Sequence, residues 1–160
     1  VEAFNQLDTE NVRLLLVGPL EQDLDPLLPK TLELIEKNTS IISTGYQSDV
    51  RKYFAVADAL VFPSYREGFP NVVLQALAME LPAIVTNISG SNEIIRDGDN
   101  GVIIPPKNQS GLREAMDLIQ KDRPFYQNLR SKSRESVHKF DRKVVWEALL
   151  EEYERVLEKY

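Results

Sequence analysis

The chain has 160 residues, 42% apolar and 28% charged, which is enough for one domain with a real core and too apolar for a disordered chain. It has no cysteine, excluding disulfide scaffolds, thiolate zinc sites and cysteine nucleophiles, and one histidine, excluding a multi-histidine metal centre. A formal net charge of −6 argues against broad binding to a phosphate backbone, so no nucleic-acid partner is expected.

Short apolar runs alternate with amphipathic segments along the chain. Asn11–Val17 is nearly continuous in apolar character and stops at Gly18-Pro19, as a strand buried on both faces would. Leu27–Asn38 reads as a helix, Ser40–Thr44 as a second strand closed by Gly45, and Ser48–Asp58 as a helix capped by Ser48. Ala59–Phe62 is strand-like and ends at Pro63-Ser64; Pro70–Leu81 is a helix, almost wholly apolar from Val72 to Met79. Ala83–Thr86 is a strand, Ser91–Arg96 a short helix, Asp97–Gly101 a turn and Val102–Ile104 a fifth strand. Leu112, Ala115, Met116 and Ile119 repeat at helical spacing. Two more helices cover roughly Pro124–His138 and Arg142–Lys159, the last carrying the stripe Val145, Leu149, Tyr153, Val156, Tyr160. Strand–helix units recurring this regularly predict an α/β, Rossmann-like, doubly wound parallel sheet within one domain spanning residues 1–160.

In such sheets ligands bind beyond the carboxyl ends of the strands, where loops lead into helix N-termini. Four loops qualify: 18–26, 45–48, 63–70 and 87–91. The third is the richest, because Glu67 stands at a strand end beside Gly68, which lets backbone approach a ligand closely. Asn71 and Gln75 share one helix face, and a polar Gln75 inside an apolar run needs a partner or pays desolvation of roughly 1–3 kcal/mol. On spacing alone two readings stand. Glu67 is a ligand contact, or it caps the next helix while Gln75 bonds a neighbouring loop. The Asn87–Glu93 stretch reads either as a phosphate cradle or as a capping arrangement of Ser89 or Ser91 with Glu93.

The run Pro63-Ser64-Tyr65-Arg66-Glu67-Gly68-Phe69-Pro70-Asn71, continued by Gln75-Ala76-Leu77-Ala78 and Leu81-Pro82-Ala83-Ile84, resembles the sugar-nucleotide segment of group 1, retaining, GT-B-fold glycosyltransferases. Ser89-Gly90-Ser91-Asn92-Glu93 stands where that family has a double-glycine loop, Asp97-Gly98 with Gly101 matches the following turn, and Gly45-Tyr46 and Ala57-Asp58-Ala59 match earlier landmarks. The resemblance implies the C-terminal, donor-binding domain of such an enzyme, transferring a hexose-type sugar from a UDP- or GDP-linked donor with retention. It implies no metal and no cofactor. By the same resemblance Glu67 lies near the donor sugar as the catalytic-site carboxylate, and Ser64, Arg66, Gly68, Phe69, Pro70 and Asn71 line the sugar and diphosphate. Gly45, Tyr46 and Gln47 frame the base, Gln75 faces the ribose, and Ser89 and Gly90 form the donor loop.

Three departures stand out. Gln75 replaces the second family glutamate, eight residues after Glu67, so a neutral amide meets the ribose diol without charge assistance. Ser89 replaces the first loop glycine, and Glu80 the glycine before Leu81-Pro82. In the family the diphosphate-clamping Arg and Lys lie on or just after a first strand, and the resemblance implies that the chain, starting at Val1, begins after it. The expectation is therefore a fragment lacking that strand and the N-terminal domain that binds a saccharide or lipid-linked acceptor.

Other features have blander readings. Asp23-Leu24-Asp25 and Asp97-Gly98-Asp99 mimic a metal-binding Asp-x-Asp, but the second pair is explained by turn chemistry. His138 lies in a basic, solvated stretch, and Trp146 with the late tyrosines reads as the core seam of the last helix, with a partner domain as a further place for it to pack. The basic cluster Arg130–Lys143 is a solvated helix face, or in the full-length protein a peripheral contact for an anionic membrane. No apolar run nears the ~20 residues of a membrane span, and a cytoplasmic protein is expected. A nucleotide-sugar epimerase and a non-catalytic sugar-nucleotide module are the alternatives, the first disfavoured by the scarcity of histidine, the second motivated by Gln75.

Overall fold

The computed structural model describes residues 1–8 and 10–159. A 3-10 turn at Phe4–Gln6, with Phe4 buried, leads into five strands: β1 Leu14–Leu16, β2 Ile41–Ser43, β3 Leu60–Phe62, β4 Ala83–Thr86 and β5 Gly101–Ile104. Between them lie α1 Pro29–Lys37, α2 Arg51–Val56, α3 Asn71–Ala78 and α4 Ser91–Ile94, followed by α5 Gln109–Lys121, α6 Arg123–Ser136 and α7 Arg142–Leu157. Every predicted strand and helix is present, with boundaries differing by up to three residues. Local chemistry sets several starts. Pro29 opens α1, and the side chains of Asn108, Asp122 and Asp141 accept from Gly111, Phe125 and Lys143 N–H groups to begin α5, α6 and α7.

All strand pairs are parallel, and they fall into two groups: β2-β1, and β3-β4-β5. β4 is buried at every position and feeds both faces. Ala83 and Val85 pack with Val73 and Leu77 of α3 and with Ile94 and Ile95. Ile84 packs with Ile104, with Ala115 and Ile119 of α5, and with Tyr126 and Leu129 of α6. That two-sided burial is why the strand reads as a continuous apolar run. Gly101 is required beside it, since a Cβ there would stand 2.3 Å from the Ala83 carbonyl oxygen.

The other apolar strands differ from the expectation. β1 and β3 are only half-buried, because each pairs along one edge and no hydrogen bond joins them to each other among the described residues. Ser48 does not cap α2: the helix starts at Arg51, three residues after the predicted start, and the carboxylate of Asp49 accepts from Arg51 N–H instead. The seam predicted for the last helix is not formed. α7 has no buried residue, and Trp146 is 56% exposed with Arg142 stacked on its ring at 4.6 Å. Tyr160, the end of that stripe, lies outside the described residues. His138 is exposed in a 3-10 turn, His138–Phe140, as predicted. No helix among the described residues is long and apolar enough to cross a membrane.

Candidate functional site

The loop after β3 carries the densest polar structure at the strand ends. Thr86, the last residue of β4, donates its hydroxyl to the Ser64 carbonyl oxygen. Ser64 Oγ in turn donates to Glu67 Oε1 at 2.6 Å. The carboxylate of Glu67 is therefore half-buried and held from within its own loop, with its other oxygen uncommitted among the described residues. It does not cap α3. The N-cap of that helix is Pro70, buried and without an N–H, and no side chain caps the start, so first-turn N–H groups and the positive end of α3 face the loop.

The neighbouring loop closes on the same point. Gly90, at φ +82°, is buried, and a Cβ on it would lie 2.5 Å from the Gly68 carbonyl oxygen. Glycine is needed there on both counts. Ser89 is exposed beside it, while Ser91 Oγ is fully buried without a hydrogen-bond partner among the described residues. Neither serine caps α4. Arg66, Gly68 and Asn71 are exposed around Glu67, and Tyr65 lies under the Lys107 ammonium at 5.9 Å. The Phe69 ring turns away to pack edge-on against Phe140, centroids 5.3 Å apart, leaving its backbone to the loop.

A second cluster forms around β1 and β2. Gly18 N–H donates to the Gly45 carbonyl at 3.0 Å, with both residues at positive φ, tying the two loops together. Tyr46 projects into solvent at 77% exposure, and Gln47 Nε2 donates back to the Thr44 carbonyl at 2.9 Å. Gln75 stands apart from both clusters, on α3. It is exposed rather than buried, so the predicted desolvation does not arise, and it lines a concavity of about 520 Å³ with Ser48, Asp49, Val50 and Arg51. Sequence reasoning missed the ion pair in that wall. Arg51 forks onto both carboxylate oxygens of Asp49 at 2.8 and 2.7 Å, and these hydrogen bonds, joined by Arg51 N–H, lower the Asp49 pKa to about 2. Thr86 was missed too; its signal was a lone polar residue ending an apolar strand. A second concavity of about 480 Å³, between α5 and the start of α6, holds none of these residues.

The Asp97–Gly101 turn is occupied by its own structure. Asp97 accepts from Ile103 N–H, and Asp99 pairs with Arg96 and Lys132, both at 2.8 Å. No group of three or more potential metal-ligating side chains clusters among the described residues.

The sequence profile described as "Glycosyl transferases group 1" matches residues 1–122. The chain belongs to the group 1 glycosyltransferases. Among curated members, it is 28% identical over 148 residues to the capsular polysaccharide biosynthesis glycosyltransferase CapM of Staphylococcus aureus, covering 92% of this chain and 39% of that one. It is 30% identical over 158 residues to N-acetyl-alpha-D-glucosaminyl L-malate synthase of Bacillus anthracis, covering 98% and 40%. The chain thus spans about two-fifths of the length of these two relatives. In fold, this glycosyltransferase chain superposes on Anabaena Alr3699/HepE in complex with UDP-glucose, with TM-score 0.80, 20% identity, and 99% and 44% of the two chains covered. A Rickettsia africae glycosyltransferase gives TM-score 0.83 at 22% identity, covering 99% and 44%.

Proposed function

We propose that the chain is the donor-binding part of a glycosyltransferase that moves a hexose from a UDP- or GDP-linked sugar to a saccharide or lipid-linked acceptor, with retention and without a metal. The observation that carries this reading is the environment of Glu67: a carboxylate held at the end of β3, beside the uncapped start of α3 and against the Gly68–Gly90 contact. The α3 N-terminus is suited to the negative charge of a leaving diphosphate, and Glu67 to orienting the sugar and offsetting positive charge on its ring. Gln75 with Ser48, Asp49, Val50 and Arg51 lines a concavity suited to ribose and base, and Gly45, Tyr46 and Gln47 precede that wall in the chain without lining it. One of the superposed structures holds UDP-glucose, which supports a sugar nucleotide as donor.

The acceptor side lies in chain beyond these residues in this reading, and so does part of the sheet. A doubly wound sheet places its first strand centrally, in the order 3-2-1-4-5-6. The observed β2-β1 and β3-β4-β5 groups follow that order with the central strand left out, which supports a further parallel strand between β1 and β3. The full-length protein is read as cytoplasmic, with the basic 130–143 stretch available to an anionic membrane surface.

The test is Glu67→Ala in the full-length protein, assayed against a panel of UDP- and GDP-sugars with product detection. Transfer should fall on the order of 10²-fold, the scale of losing one preorganised electrostatic contact. Unchanged transfer removes Glu67 from the site. Donor binding without transfer to any acceptor favours a non-catalytic module instead.

A further inference from the structure

We propose that Thr86 and Ser64 are positioning residues for Glu67, so that β4, rather than the donor loop itself, sets where the carboxylate stands. The inference rests on the reading of Glu67 given above. Its basis is a relay of two side-chain hydrogen bonds across 22 residues of chain: Thr86 hydroxyl to Ser64 carbonyl, then Ser64 hydroxyl to Glu67 carboxylate at 2.6 Å. The far end of the relay is rigid. Thr86 is 1% exposed, sits in register with Ile104 of β5, and carries a β-branched side chain stiff about its first torsion. A hydroxyl at that depth needs a partner, and it finds one in the loop.

The middle of the relay engages the carbonyl and the hydroxyl of Ser64. Its carbonyl receives Thr86, and its hydroxyl reaches the carboxylate with only a long 3.4 Å approach to the Arg66 carbonyl as an alternative. At the other end of the loop, Gly68 rests on Gly90, four residues beyond Thr86. One segment, 86–90, therefore grips both ends of the 64–68 loop, and Glu67 lies between the two grips. A charge-assisted O–H···O⁻ bond at this length has strong directional preference, so the Ser64 hydroxyl selects one orientation of the carboxylate. A site group must be held to within about 0.5 Å, and side chains behind it commonly supply that precision.

The experiment compares Thr86→Val, Thr86→Ser, Ser64→Ala and Glu67→Gln in the full-length protein. It follows amide hydrogen exchange over residues 63–70 and UDP release from UDP-glucose. Valine keeps the shape of threonine and is apolar, so the thermal midpoint of Thr86→Val should hold while exchange in the 64–68 loop quickens about fivefold, the effect of losing one net hydrogen bond. UDP release should lose kcat with little change in KM in Thr86→Val and Ser64→Ala, and Thr86→Ser should restore both rate and protection. Unchanged loop exchange in Thr86→Val overturns the proposal whether or not UDP-glucose is turned over. Loss of kcat in Glu67→Gln with normal kcat in Thr86→Val and Ser64→Ala also overturns it, leaving the reading of Glu67 intact. Normal kcat in Glu67→Gln overturns that reading, and the exchange data then decide the tether separately.

Discussion

Replacing Glu80 with glycine should stabilise the protein although it removes a charged partner of Arg134. Glu80 follows the last turn of α3 in the left-handed region, at φ +60°. Leu81 N–H bonds the Ala76 carbonyl at 3.0 Å and Glu80 N–H bonds the Leu77 carbonyl at 2.9 Å, the paired 6→1 and 5→2 pattern of a Schellman C-cap. Such a cap places its αL residue at the position Glu80 occupies, and an L-residue there costs about 1–2 kcal/mol that glycine does not. Two terms oppose the gain. Glycine restores about 0.4–1 kcal/mol of unfolded-chain entropy, and the Arg134–Glu80 pair, 3.9 Å apart with side chains 69% and 48% exposed, is worth a few tenths at most. Taken at the middle of these ranges the net is about 0.5 kcal/mol in favour of Glu80→Gly, or about 1–2 °C in thermal midpoint for a chain of this size. Glu80→Ala keeps the φ penalty and loses the pair, so it should sit at or below the parent. Thermal unfolding by circular dichroism of the three proteins checks the order. A glycine variant no more stable than the alanine one would refute the assignment of strain to this cap.

Three further outcomes follow from the same geometry. Gly90→Ala adds a positive-φ strain to a backbone collision with Gly68, and should cost roughly 2–4 kcal/mol in denaturant unfolding; parent-like stability would mean the two loops do not touch. Asn100 is fully buried, accepting from Arg96 N–H at 2.8 Å and donating to the Ile94 carbonyl at 3.0 Å and Ser136 Oγ at 2.8 Å. Asn100→Ala strands those groups and should cost roughly 2–4 kcal/mol by the same assay. The hydrogen bond from Lys132, with the Arg96 charge beside it, holds the Asp99 carboxyl below its ordinary range. A depressed carboxyl contributes stability above the unfolded pKa of about 3.9 and loses it as pH falls through the folded value. Lys132→Met should therefore move the acid-unfolding midpoint upward in a pH titration followed by circular dichroism, and an unmoved midpoint would deny the pair any role.

What the sequence made legible was the kind of each element. β4 could be read from Ala83-Ile84-Val85-Thr86 because both faces are covered, and α5 from Leu112, Ala115, Met116 and Ile119 because one face is. Periodicity reports which face an element is built to bury. It does not report whether the covering surface lies in the same stretch of chain. That is why Leu14–Leu16 reads like a central strand yet is half-exposed, and why the α7 stripe through Val145 and Leu149 reads like a core seam yet lies open. The loop residues around Glu67 were legible through glycine, proline and a carboxylate at a strand end. The relay from Thr86 was not, since it joins groups 22 residues apart that no spacing rule connects.

The split in the strands also bears on how the site is held together. Gly18 and Gly45 belong to the β1–β2 side, while Glu67 and Gly90 belong to the β3–β5 side. Strand hydrogen bonds do not span the two sides among the described residues, so other contacts must fix the distance from the Gly18 and Gly45 loops to the Glu67 carboxylate. One such contact is apolar: Phe54 of α2 packs with Ala76 of α3 and with Leu81, beyond the C-cap. The concavity lined by Gln75, Asp49 and Arg51 opens between the same two helices. Gln75 and Ala76 are adjacent, so one turn of α3 carries a contact that sets the spacing between the sides and a residue that faces the space between them. The αL cap at Glu80 ends that helix and delivers Leu81 into the same cluster. One short helix thus carries the cleft-facing Gln75, the packing contact at Ala76 and, at its end, the left-handed cap of Glu80.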